Sequence, residues 1–171
     1  MASEECPVGV SLNELLQWSE ESFTHWEALL LANPSLLDLP CDIYNSSDVR
    51  GLLLHIVAVE LRYVERIRAE PVTPYDELVA AHPAGASIAG IFDIHRRASS
   101  RLRESLAGGG WDEVLEFPTL TAGNLRASRR KIAIHAVLHG IRHFAQLATL
   151  VRQHGVKPGW HMDFLASSAM V

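Results

Sequence analysis

The amino-acid sequence predicts an all-α protein, a helical bundle with long connecting loops. Three observations predict it. Four long segments carry apolar residues at three- and four-residue intervals, no segment alternates cleanly at period two, and serine, Asn-Pro and glycine signals bound the periodic stretches.

The first helix is expected from about Ser11 to Leu31. Leu12, Leu15, Leu16, Phe23, Trp26, Leu29 and Leu30 form its apolar stripe, Ser11 suits the N-cap, and Asn33-Pro34 ends it. The second is expected from about Asp48 to Ala69, opened by Ser46-Ser47-Asp48 and closed before Pro71. The third begins after Ser87, aligns Ile88, Ile91, Phe92, Leu102 and Leu106, and stops at Gly108-Gly109-Gly110. The fourth is expected from about Ala127 to His154, with Gly155 as its cap and Pro158 beyond. Trp111 to Leu120 reads as a short extended stretch but not as a sheet, and the tail from Trp160 to Val171 as one further turn of helix. The connections 32–47, 70–86 and 108–126 each exceed 15 residues, against about two to eight in minimal bundles. Loops of that length in a compact domain tend to cover a site.

Composition narrows the function. A chain of 171 residues with 48% hydrophobic and 20% charged residues suits one domain spanning residues 1–171. A net charge of -5 argues against a nucleic-acid partner, which calls for a basic stripe. No apolar run reaches the roughly 18 residues of a membrane span. The segment Met1 to Val10 carries acids and lacks a basic signal region, and Cys6 and Cys41 are far apart. The expectation is a cytoplasmic, disulfide-free protein. Nine histidines stand out against three methionines and three tyrosines.

Three of those histidines, His135, His139 and His143, lie at i, i+4 and i+8 of the fourth helix. Each is about 40° round from the last, so they share a stripe. Neighbours four apart lie about 6 Å apart at Cβ, which suits two imidazoles meeting one ion at about 2.0–2.1 Å. His135 and His143 are about 12 Å apart along the axis, too far to share an ion. Either His135 with His139, or His139 with His143, therefore forms the pair. The opposite face carries Val137, Ile141, Phe144 and Ala148, so the helix is apolar on two sides and is expected to be buried on more than one face.

The second helix supplies a further ligand. His55 is the one polar residue in the run Leu52 to Val59, with Leu52 and Val59 on its own face and Gly51 expected to leave room beside the ring. Glu60, about 140° round from His55, is on another face. Three imidazoles from two helices, with coordination positions to spare, is the pattern of a catalytic metal site. His95 lies between Phe92 and Leu102 and is a candidate fourth ligand, otherwise a core residue. His25, His82, His154 and His161 read as surface or loop residues, and Trp18, Trp26, Trp111 and Trp160 as core or loop anchors. Arg62, two turns from His55 on its face, could guide an anionic substrate or be ion-paired.

His55 within Leu-Leu-His-Ile, the run His135-Ala-Val-Leu-His139-Gly-Ile-Arg-His143-Phe-Ala-Gln146, and Leu-Val-Arg-Gln-His-Gly155 together resemble the DinB/YfiT-like proteins over about residues 10 to 165. The resemblance implies a four-helix bundle, often a homodimer, holding one divalent ion, zinc or nickel. Aligned on Gln146, the metal ligands it implies are His55, His139 and His143, with His135 one turn outside. Where the family often has His-His-Arg-Gly-Gln, this chain has Arg142-His143-Phe144-Ala145-Gln146, which keeps the ligand and loses the neighbouring His and Arg. The activity implied is a metal-dependent S-transferase or isomerase reaction with a low-molecular-weight thiol such as bacillithiol, mycothiol or glutathione, acting on a small-molecule substrate. The alternatives are a metal-dependent hydrolase and a non-catalytic, stress-related protein with a structural ion. The residues mark no general base.

Overall fold

A computed structural model describes residues 9–80, 87–119 and 121–170. Cys6 and His82 lie outside the described residues. The chain is mostly helical, with a small two-stranded sheet: α1 (Leu12–Ala32), α2 (Val49–Ile67), α3 (Tyr75–Ala80), α4 (Ile88–Ser105), β1 (Val114–Pro118), β2 (Asn124–Ser128) and α5 (Arg129–Gln153).

Each long helix begins where a side chain can take up the free N–H groups of its first turn. Ser11 and Glu14 form a reciprocal capping box on α1. Asp48 accepts from Gly51 N at 2.7 Å on α2, Ser87 from Gly90 N on α4, and Ser128 from Lys131 N on α5. Gly155, at φ 82°, turns the chain away after α5.

α2 packs on both α4 and α5, and α1 packs on the same two from the other side. α2 is the most enclosed, with Leu52, Leu53, Ile56, Val57, Leu61 and Val64 all buried. Trp26 and Phe144 stack at 5.6 Å between ring centres, and Trp160 meets Trp26 edge-on at 5.3 Å, tying the tail to α1. The second apolar face of α5 is therefore covered within the chain: Val137, Phe144 and Ala148 are buried, and Leu138 is the large apolar residue that α5 leaves exposed.

Three local readings of the sequence are corrected. Residues 114–128 form an antiparallel hairpin, Phe117 opposite Leu125, where only an extended stretch was expected. Its strands show no apolar alternation because one residue, Phe117, is buried, packed edge-on against Tyr63 of α2. The connection 70–86 contains α3, too short for a periodic signal. The space at Gly51 faces Asp48 Oδ1 and Ser46, at 3.4 and 3.6 Å from where a Cβ would stand, and serves the helix cap rather than His55. No helix among the described residues is long and apolar enough to cross a membrane.

Candidate metal centre

The packing of α2 on α5 turns two sequence stripes toward each other. His55, Val59, Arg62 and Arg66 run along α2, and His135, His139 and Arg142 along α5; they line a common cleft of about 280 Å³. His55 and His139 line it and His143 lies beside them, and all three are buried, with relative exposures of 2%, 7% and 2%. One ligand atom from each lies within 4.8 Å of the others, so the three could hold a metal ion.

The nitrogen geometry fits that use. His55 Nε2 and His139 Nε2 are 3.2 Å apart. Two imidazole nitrogens, each about 2.0–2.1 Å from one ion at near-tetrahedral angles, lie roughly 3.1–3.4 Å from each other. His143 Nδ1 is 2.7 Å from Gln146 Oε1, and His143 Nε2 is 3.1 Å from the Arg142 guanidinium. An amide oxygen only accepts and a guanidinium only donates, so the proton is on Nδ1 and the Nε2 lone pair faces the Arg142 guanidinium. Gln146 thereby fixes tautomer and ring orientation, the usual role of a group behind a metal-binding imidazole. Arg142, exposed and flexible, occupies the same lone pair that an ion would take. His55 Nδ1 and His139 Nδ1 are buried without a hydrogen-bond partner among the described residues, an expensive arrangement in a cluster with no other purpose.

Burial, with the neighbouring His143 and Arg142 adding to it, lowers the pKa of His55 to about 4. Burial, then His143 and His55, lowers that of His139 to about 2. His143 is lowered by burial against an opposing contribution from Gln146. All three are neutral at physiological pH, the form that coordinates a metal.

The other candidates fall elsewhere. His135 is exposed at the rim of the cleft, edge-on to Tyr63 at 5.2 Å and 5.9 Å from the His139 ring. His95 is buried on a different side of α2, its Nδ1 2.8 Å from Glu60 Oε2 and its ring stacked on Phe23 at 3.4 Å. It is a core residue with a carboxylate partner. His25, His154 and His161 are exposed. Arg62 has no carboxylate within 4.0 Å among the described residues; it donates to Thr73 O at 2.8 Å and lines the cleft.

Sequence reasoning missed Tyr44 and Arg142. Tyr44 sits in a left-handed backbone conformation, φ 54°, and its ring stacks on His55 at 4.1 Å. The hairpin turn brings Thr119, Thr121 and Ala122 over the other side. The available signal was loop length: Tyr44 comes from the connection 32–47 and the hairpin turn from 108–126, while Tyr75, from 70–86, lies edge-on to His55 at 6.2 Å. Arg142 stands in the departure from the family pattern, a change that marked the position without revealing what it faces.

These features define a helical protein with a buried histidine trio able to take a divalent cation beside an open cleft. The chain belongs to the DinB family, whose model matches residues 10–169. No curated protein matches it.

Proposed function

We propose that this protein is a metal-dependent enzyme of the thiol S-transferase type, a single DinB domain built as a four-helix bundle, with one zinc or nickel ion on His55, His139 and His143. The observation that carries the reading is the burial of three neutral imidazoles beside a cleft open to small molecules. A purely structural ion needs no such access. A divalent ion held by His55, His139 and His143 would supply Lewis acidity, which would favour the thiolate form of a thiol entering the cleft near neutral pH. The neutral donors leave the double charge undiminished. Tyr44 shields the His55 ring from solvent on one side, and Gln146 keeps His143 oriented. Among the described residues no carboxylate lines the cleft, so activation of the thiol would rest with the ion.

Metal analysis of protein purified without chelator is expected to give about one divalent ion per chain. Cobalt-substituted protein titrated with bacillithiol, mycothiol and glutathione is expected to develop a sulfur-to-metal charge-transfer band with one of them. Silence toward all three at millimolar concentration would exclude thiol transfer and leave hydrolysis or a structural ion. The family resemblance also motivates a homodimer of roughly 38 kDa, twice the 18.9 kDa chain, and the sequence's cysteine use motivates a cytoplasmic location; a monomer by light scattering at micromolar concentration overturns the dimer.

A further inference from the structure

The chain has 20 acidic against 15 basic residues, and most of its arginines are paired. Arg50, Arg68, Arg96, Arg101, Arg103, Arg126, Arg129 and Arg130 each have a carboxylate within 4.0 Å. Five have none among the described residues: Arg97 and Arg152, which are exposed, and Arg62, Arg66 and Arg142, which line the cleft beside the histidine trio. No carboxylate is among the described residues that line it with them.

The arginines are held there by neutral groups. Arg62 donates to Thr73 O. Arg66 donates to Arg62 O and Pro118 O, both at 3.2 Å, with its guanidinium carbon 5.5 Å from the Tyr63 ring centre and 5.1 Å from that of Phe117. Arg62 and Arg66 are one helical turn apart and half-buried. Burial, then the neighbouring charge of Arg62, lowers the pKa of Arg66, with Tyr63 and Glu65 opposing. Glu65 itself is taken up elsewhere, accepting from Thr73 N and Thr73 Oγ1 at 2.8 Å. Two partly desolvated like charges, fixed in place without a counter-ion, destabilise the empty site. They become favourable when an anion enters, and a guanidinium fork matches the two oxygens of a carboxylate or phosphate.

We propose that the α2 arginine end of the cleft is an oxyanion subsite, and that the substrate is a small molecule bearing a carboxylate or phosphate group bound by Arg62 and Arg66. With its charged end there, the remainder of the molecule extends toward His139 and Arg142. The cleft volume of about 280 Å³ suits a small metabolite rather than a drug-sized ligand. The direction in which the substrate's reactive end points rests on the metal-enzyme reading; the binding of the anion does not.

The test is calorimetric titration of chelator-treated protein at low ionic strength with succinate and, separately, with inorganic phosphate. At least one is expected to bind, more weakly as salt is added, and the stronger of the two names the oxyanion. Arg62→Gln and Arg66→Gln should each weaken that binding about tenfold, while Arg152→Gln, an exposed arginine outside the cleft, leaves it unchanged. Both cleft variants should still take up cobalt with the wild-type spectrum, which also reports that they are folded. If either glutamine variant does not fold, Arg62→Lys and Arg66→Lys replace them, keeping the charge but losing the fork, with a smaller drop expected. Absence of binding by both anions, or unchanged binding in the cleft variants, overturns the proposal. Anion binding by a protein that takes up no metal would leave the subsite standing and remove the metal reading.

Discussion

α2 buries a histidine-containing polar cluster on two different sides, and the two are built on opposite rules. On one side His95 meets Glu60 at 2.8 Å, both nearly inaccessible, and Phe23 stacks on the imidazole. Donor meets acceptor, so that side is complete as it stands, apart from Glu60 Oε1, which has no partner among the described residues. On the other side His55, His139 and His143 are gathered with one another, His55 Nε2 facing His139 Nε2 at 3.2 Å, and the Nδ1 atoms of His55 and His139 have no partner among the described residues. Complementary groups hold a core together without help. Like groups gathered at similar cost leave room for something from outside the chain, and three imidazoles could hold a cation.

Substitution can break this contrast most sharply on its two central residues. His95→Ala should leave Glu60 buried and alone, lowering stability by about 3–5 kcal/mol in urea denaturation while metal stoichiometry stays at the wild-type value. His139→Ala should do the reverse, weakening metal affinity by more than about a hundredfold with little loss of apo-protein stability. Loss of metal from the His95 variant while it remains folded would show that the two sides are one site.

Acid should also distinguish the apo from the loaded protein. Unfolded histidines titrate near 6.5, whereas His55 and His139 are lowered to about 4 and about 2 in the fold. Below pH 6.5 the unfolded chain binds more protons than the native one, so stability is full above pH 6.5 and falls as the pH drops, down to about 4 for His55 and on to about 2 for His139. About 2 kcal/mol per histidine should be lost by pH 5 in the apo-protein, and less in metal-loaded protein, as measured by denaturant midpoints. A flat profile would place the histidines in solvent.

Smaller effects sharpen the boundary of the site. Gln146→Ala removes the acceptor of His143 Nδ1 and should weaken metal binding about tenfold, read by competition with a chelating dye. His135→Ala, at the exposed rim, should change it by no more than about twofold, within the usual range for surface substitutions. An equal loss from His135→Ala and His139→Ala would move the site one turn along α5.

The long helices were legible because each carries its own signals. Ser11, Ser87 and Asp48 announce starts, and the stripes through Leu16, Phe23, Trp26 and Leu30 or through Ile91, Phe92 and Leu102 recur at helical spacing. The start of α5 was placed two residues early because Ala127 and Ser128 continue without a break from β2. The hairpin was hidden because it depends on one buried residue, Phe117, resting on Tyr63 and beside Arg66, contacts that exist only once α2 is in place. Spacing left two histidine pairs open on α5, and family likeness favoured His139 with His143. The packing of α2 brings that pair, and not His135, to His55. Tyr44 and Arg142 act on the site through a loop conformation and a rotamer, neither of which is written in residue order.

Gly140 follows His139 directly on α5, and a Cβ there would stand 3.5 Å from Ile56 Cγ2, the residue that follows His55 on α2, and 3.6 Å from Phe23. The missing side chain thus acts as a spacer of zero thickness beside the two rings whose nitrogens must converge. Alanine would just fill that gap, whereas valine would wedge the helices apart, and ligand geometry tolerates errors of only about 0.5 Å. Affinity for an ion held by these rings would therefore work as a caliper on helix packing, registering small displacements of α5.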